Sequence, residues 1–181
     1  MAEANYPEPV RFFTAVLAAD VRCLEAARAL IVSRWGEPDL ASPHYAFSRT
    51  AYYEAEAGTH IIRAFFSFPG GFPREELPAR KNESNTMEKE LAHALADTGL
   101  PRPVNIDPGY LALEKIVLAS CKNFAHRIYL GQGVFGEATL LFRGGKFTTL
   151  PWTFPDYASG DYDRFFLEVR RRLAREQNHG G

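Results

Sequence analysis

The sequence predicts an α+β domain: a largely antiparallel sheet served by three main helices. Three observations point there. The elements run β-α-β-β-α, then a β-rich block, then α, and helices set apart from a run of strands mark the α+β class. Three segments repeat their apolar residues every three or four positions, the period of a helix face. Most of the remainder falls into short apolar or alternating runs bounded by glycine and proline turns.

Taken in order, Val10–Ala18 is a dense apolar run and reads as a buried strand. Asp20 can N-cap a helix through Trp35, with Leu24, Ala27, Ile31 and Trp35 on one face and Gly36 as its C′ residue. Pro38 to Pro43 is a loop, His44–Ser48 a short strand candidate, and Thr50–Ala57 keeps no clear period. Ile61–Phe68 reads as a strand, broken by Pro69-Gly70-Gly71-Phe72-Pro73. Asn85 with Glu88 three residues on makes a capping box for a second helix, striped by Met87, Leu91, Ala94 and Leu95, with Thr98 near its end and Gly99 stopping it.

From Val104 to Leu150 the chain looks mostly β. Asp107-Pro108-Gly109 reads as a hairpin turn or as a helix cap, and Leu111–Ser120 leans to strand without a clean period. His126–Leu130 and Val134–Phe142 form a hairpin about Gly131-Gln132-Gly133, and Gly144-Gly145 turns a second into Lys146–Leu150. The last helix spans about Asp161 to Glu176 with Tyr162, Phe166, Val169 and Leu173 on one face. The first five elements suit a ferredoxin-like split βαβ unit. The expected domain covers residues 9–177, with short flexible tails.

Composition narrows the setting. A chain of 181 residues suits one domain and buries roughly 70% of its unfolded surface, enough for a core without disulfides or metal. Net charge is −1, so no global field draws nucleic acid or an anionic membrane. The two cysteines, Cys23 and Cys121, lie far apart and fit a reducing compartment. The start, Met1 to Pro9, has neither the basic nor the apolar segment of a signal peptide, so a cytoplasmic location is expected.

Several motifs fail on inspection. Gly131-Gln132-Gly133-Val134-Phe135-Gly136 matches G-x-G-x-x-G, but a strand follows the glycines where a Rossmann fold needs a helix. No His-Arg-Asp or Asp-Phe-Gly sequence supports a kinase. Around Gly145-Lys146, Leu140 and Phe147 stand where a P-loop needs Gly and Ser or Thr. No two of the five histidines share metal-ligand spacing, so no zinc motif is found and no cofactor is implied.

What does stand out is a polar cluster in the apolar β block: Asp107, Tyr110, Lys115, Lys122, His126, Arg127, Tyr129 and Glu137. Cations beside His, Asp and Glu are what anion binding with acid–base work requires. A structural alternative is specific. If a three-residue turn pairs Leu130 with Val134, Arg127 faces Glu137 as a cross-strand salt bridge and Tyr129 faces Phe135. Tyr52-Tyr53-Glu54 with Arg63 is a second candidate, since adjacent tyrosines cannot share one strand face. Arg170, Arg171, Arg172 and Arg175 form a basic run on the last helix, read as a solvated face.

Nearly the whole chain, from about Pro9 to Arg172, resembles a prokaryotic family known as domain of unknown function 4416. The resemblance rests on Asn105-Ile106-Asp107-Pro108-Gly109-Tyr110-Leu111, Lys115, Lys122, His126-Arg127-Ile128-Tyr129-Leu130-Gly131, Gly145-Lys146-Phe147 and Leu150-Pro151-Trp152-Thr153-Phe154-Pro155-Asp156-Tyr157. Earlier matches are Thr50, Tyr52-Tyr53-Glu54, Gly58, Arg63, Ser67-Phe68, Lys81, Asn85 and Glu88. The family pattern carries Ala where this chain has Gly136, which makes the kinase-like glycine match accidental. Its acidic-Met-Gly is here Glu56-Ala57-Gly58. Some members bear the name GTP-binding protein, a label no motif above supports.

The leading expectation is a small-ligand binding protein or enzyme acting on an anionic, phosphorylated or nucleotide-like compound. Lys115, Lys122 and Arg127 would hold the anion, with Tyr129, Glu137, Tyr53, Glu54, Arg63 and Asp156 around it. His126 and Asp107 would act as acid and base, and Trp152 or Tyr157 would stack. Replacing Arg127 by alanine would then abolish binding and leave the fold intact. The rival is a module that binds protein or RNA through the Pro151–Tyr157 loop and the last helix.

Overall fold

The structure, a computed structural model, describes residues 1, 3–5, 7–47 and 61–179. Its strands are β1 (Arg11–Ala18), β2 (Leu40–Ala41), β3 (Tyr45–Ala46), β4 (Ile62–Ser67), β5 (Val104–Ala112), β6 (Lys115–Ser120), β7 (Ile128–Gly131), β8 (Val134–Arg143) and β9 (Lys146–Thr149). The three α-helices are α1 (Val21–Trp35), α2 (Leu77–Ala94) and α3 (Asp163–His179). All strands join one antiparallel sheet in the order β2-β4-β1-β5-β6-β8-β7, with β3 also on β4 and β9 also on β8. This is the α+β architecture that the order of elements predicted.

The connectivity β1-α1-β2-β4-α2-β5 with spatial order β2-β4-β1-β5 is the split βαβ arrangement. The β6–β9 hairpins then extend the sheet from β5. Every residue of β1 is buried, because helices cover both faces of the sheet there. That is why its sequence reads as a continuous apolar run and not as an alternation. One face packs Phe12, Val16, Phe66 and Ile106 against Leu24, Ala27 and Ile31 of α1 and Met87 and Leu91 of α2. The other packs Phe13, Phe65, Leu111 and Leu140 against Phe165, Phe166, Val169 and Leu173 of α3. Phe65 lies at the centre of the second layer, with its ring 4.6–5.4 Å from those of Tyr162, Phe165 and Phe166.

Local signals account for the element ends. Asp20 accepts a hydrogen bond from the Cys23 amide at 2.7 Å as the α1 N-cap, and Gly36 closes the helix at φ 86°. In the β7–β8 hairpin Tyr129 does face Phe135, but Gly131 and not Leu130 pairs with Val134, and the register shifts between Tyr129 and Gly131. Gln132 and Gly133, at φ 55° and 76°, make a two-residue turn of the left-handed kind such hairpins favour.

Two expectations are corrected. Helix α2 begins at Leu77, with Pro78 in its first turn, so Asn85 is an interior residue and not an N-cap. Proline in the first turn is a start signal that the capping-box reading passed over. Asp107-Pro108-Gly109 is neither turn nor cap: it lies inside β5, with Ala15, Thr14 and Phe13 of β1 as cross-strand partners. A proline survives there because β6 pairs with β5 only from Gly109 onward, leaving that flank open at Pro108. The unresolved period of Leu111–Ser120 is also explained: it is two strands joined by a turn at Leu113 and Glu114. Thr50–Ala57 lies outside the described residues.

Gly109 sits at the last pairing before β5 and β6 part. A Cβ there would stand 2.5 Å from the Val117 carbonyl oxygen and 2.8 Å from Phe13 Cζ. Gly109→Ala is therefore expected to destabilise the fold by about 1–3 kcal/mol through overpacking. Thermal melting would show this as a fall of several degrees, whereas an unchanged midpoint would mean that the strands can separate further at no cost.

A cleft where two strands part

The candidate site follows from that parting. Strands β5 and β6 pair from Gly109/Leu118 to Ala112/Lys115, and beyond Leu118 strand β6 continues on β8 alone. Residues Asn105 to Pro108 thus keep β1 on one flank and have no strand on the other. Helix α2 supplies the missing partners: the Ile106 amide donates to Glu88 Oε1 at 2.8 Å, and Lys81 Nζ donates to the Ile106 carbonyl at 3.2 Å. Backbone groups in a buried place need such partners, and here side chains replace a neighbouring strand. The opening is a cleft of about 490 Å³ whose walls include Arg63, Lys81, Asp107, Arg127, Glu137, Asp156 and Tyr157. That volume lies within the range of small-molecule sites.

Arg63 projects from β4 and is only 5% exposed. Its Nη2 donates to Asp156 Oδ2 at 3.1 Å, and its guanidinium lies 5.2 Å from the ring centroid of Phe47 and 5.9 Å from that of Tyr157. Its Nε and Nη1 have no hydrogen-bond partner among the described residues. Burial alone would lower its pKa, but Tyr157 and the Asp156 and Asp107 carboxylates raise it above the ordinary value, so it stays cationic. Burial drives the Tyr157 phenol well above its usual range, and its hydroxyl also lacks a partner among the described residues.

Asp107, on the same sheet face as Arg63, accepts from Lys81 Nζ at 3.1 Å through Oδ1 and from the Asn105 side-chain amide through Oδ2. Arg102 donates to Asn105 Oδ1 and to Glu88 Oε2, the latter at 2.7 Å. Burial opposes the charge on Asp107, but Lys81 and Arg63 hold its pKa below the ordinary carboxylate value. Glu88 moves the other way: burial raises it, and Lys81 and Arg102 only partly offset that.

Arg127 and Glu137 form the cross-strand pair that the hairpin suggested. Arg127 Nε donates to Glu137 Oε2 at 2.7 Å, and Nη1 donates to Ser120 Oγ at 2.9 Å and to the Lys122 carbonyl at 2.7 Å. Glu137 is 3% exposed; its Oε2 also lies 2.7 Å from His126 Nε2, while Oε1 has no partner among the described residues. The His126 ring stacks on Trp152 at 5.0 Å, nearly parallel, and Trp152 Nε1 donates to the Ala138 carbonyl at 2.8 Å.

The cleft therefore gathers Asp107, Lys122, Arg127, Glu137, Arg63, Asp156 and Tyr157 from the predicted set. Lys115 stands at the far end of the β5–β6 hairpin, paired with Glu114 at 2.9 Å, and Tyr129 is exposed beside Phe135; neither lines the cleft. His126 and Trp152 reach it only through Glu137 and its strand. Tyr53 and Glu54 lie outside the described residues. Chemistry-based reading missed Lys81, Asn85, Arg102, Asn105 and Ser120 as lining residues. The first two stand one turn apart on one face of α2, and only the family resemblance had marked them for the site. Among the described residues no group of His, Cys, Asp and Glu is placed to hold a metal, and no helix is long and apolar enough to cross a membrane.

Fold and cleft together define the class: an α+β protein with a charged, ligand-sized cleft at a split in its central sheet. Residues 8–173 match the model of the family described as domain of unknown function (DUF4416), and the chain belongs to that family. Comparison with curated proteins and with solved structures finds no match.

Two outcomes follow. Arg127→Ala would leave the Glu137 carboxylate buried without its guanidinium, and such a loss typically costs about 3–5 kcal/mol. A large fall in melting temperature is therefore expected, in place of the intact fold that the sequence suggested, and a wild-type midpoint would show that the pair contributes little to the fold. Asp107, with a folded pKa below 3.8, contributes stability that is full above that value and lost as pH falls through the folded pKa. The gap in melting temperature between wild type and Asp107→Asn should be widest near neutrality and shrink below pH 3.8; a gap independent of pH would contradict this.

Proposed function

We propose that the chain is a small-ligand binding protein or enzyme of the cytoplasm, acting on an anionic, phosphorylated or nucleotide-like compound held in the β5–β6 cleft. The observation that carries this reading is Arg63: a buried, permanently charged side chain on the cleft wall with two donor nitrogens lacking partners among the described residues. Leaving charged donors buried and unsatisfied is costly, and an anionic oxygen is the partner that removes the cost. The lining agrees, with five cationic side chains against three carboxylates. Asp107 lines the cleft as an ionised, weakly basic carboxylate, and His126 is tied to Glu137, so these remain the acid–base candidates. Cys23 and Cys121 are both free thiols, which suits a reducing compartment.

A second reading, docking of a protein or RNA, draws on exposed Phe124, Ile128, Leu130 and Trp152. The basic run of α3 supports it less. Arg170 donates to the Leu113 carbonyl and lies 3.7 Å from the Phe142 ring centroid, and Arg172 pairs with Asp39 and Glu168.

The deciding experiment is a thermal-shift screen against inorganic phosphate, sugar phosphates and nucleotides including GTP. A ligand at about 100 times its Kd adds roughly 2.7 kcal/mol, a shift of several degrees for a chain of this size. Stabilisation is expected in wild type and is expected to be largely lost in Arg63→Lys, which keeps a charge near Asp156 but not the guanidinium donors. A flat response across the panel would sink the anion-site reading and turn attention to pull-downs for a macromolecular partner.

A further inference from the structure

The cleft carries unmet hydrogen-bonding groups of two opposite kinds. Nine buried side-chain polar atoms lack partners among the described residues, and four belong to residues lining this one cleft: Arg63 Nε, Arg63 Nη1, Tyr157 Oη and Glu137 Oε1. The first three donate, since the guanidinium is cationic and the buried phenol keeps its proton. The fourth is an acceptor only. Glu137 Oε2 is saturated by Arg127 and His126, each at 2.7 Å, and so cannot serve a ligand, whereas Oε1 of the same buried carboxylate has nothing. Unsatisfied buried groups are rare in folded proteins, and each one calls for a partner.

Resting on the anion-site reading above, we propose that the ligand is two-ended: an anionic phosphate group against Arg63 and Tyr157, and a nitrogen donor, an amine or amidine-like N–H, against Glu137 Oε1. A simple phosphate would satisfy one end and leave the carboxylate oxygen dry and unpaired. A ligand with a donor at its far end satisfies both, and Glu137 then selects among phosphorylated compounds. The Arg127–Glu137 pair acts as the specificity device: Arg127 and His126 occupy one carboxylate oxygen and leave the other, buried beside the cleft, without a partner among the described residues. Binding is by hydrogen bonds alone, and no covalent step is involved.

The test compares a series of aminoalkyl phosphates of increasing chain length with the matching n-alkyl phosphates, by calorimetry on the full chain. At the chain length that spans the cleft, the amine should tighten binding about tenfold or more, the worth of one charged hydrogen bond. That advantage should collapse in Glu137→Gln, whose amide oxygen can still serve Arg127 while its NH₂ now faces the ligand amine. Equal affinity of amine and alkyl partners at every length in wild type overturns the two-ended ligand and leaves the anion site standing. Failure of every phosphate to bind overturns both. If Glu137→Gln does not fold, the wild-type comparison still decides.

Discussion

The structure turns on the separation of β5 from β6 beyond Gly109. A sheet whose interior strands lie side by side offers no room between them, but here the two strands diverge while both remain paired on their outer flanks. Gly109 permits the close approach at the apex, and Pro108 follows on the flank that no strand occupies. Backbone left open in this way inside a protein must find other partners. The polar side chains of α2 are the answer, and they bring charge into the middle of the molecule.

Once charge is there, more charge follows. Lys81 needs Asp107, Asp107 is steadied by Asn105, Asn105 takes Arg102, and Arg102 is held by Glu88. On the same cleft, Arg63 needs Asp156, and Arg127 needs Glu137. Buried ions of this sort gain little net stability against apolar residues of the same size, because desolvation consumes most of the attraction. On the proposed reading, such a network at a split in the sheet serves a ligand as well as the fold. Four of the nine buried polar atoms without partners among the described residues belong to residues that line the cleft.

Against this, the two apolar layers are conventional. Helices α1 and α2 cover one face and α3 the other, with Phe65 and Phe166 central to the second. Arg11 is the charged exception within β1: it is fully buried, yet it reaches Asp39 and Glu176 and donates to the Phe68 carbonyl. It ties β1 to the edge of the sheet and to the end of α3, a structural role far from the cleft.

Periodicity and punctuation determined the class, the helix α1 with both its caps, the buried face of α3 and the β7–β8 and β8–β9 hairpins, because each depends on neighbours a few residues apart. The Arg127–Glu137 pair was legible for the same reason: a hairpin register is a local matter, and it survived even the displaced turn. The cleft was not legible. Asp107-Pro108-Gly109 has the local chemistry of a turn, and only pairing with β1, some ninety residues earlier in the chain, makes it a strand. Lys81, Arg63 and Asp156 come from a helix, a strand and a loop that carry no common signal, and they meet because two strands part between them. Local geometry is written in adjacent residues, whereas the place where a sheet opens depends on the packing of the whole chain, and that the tertiary structure alone decided.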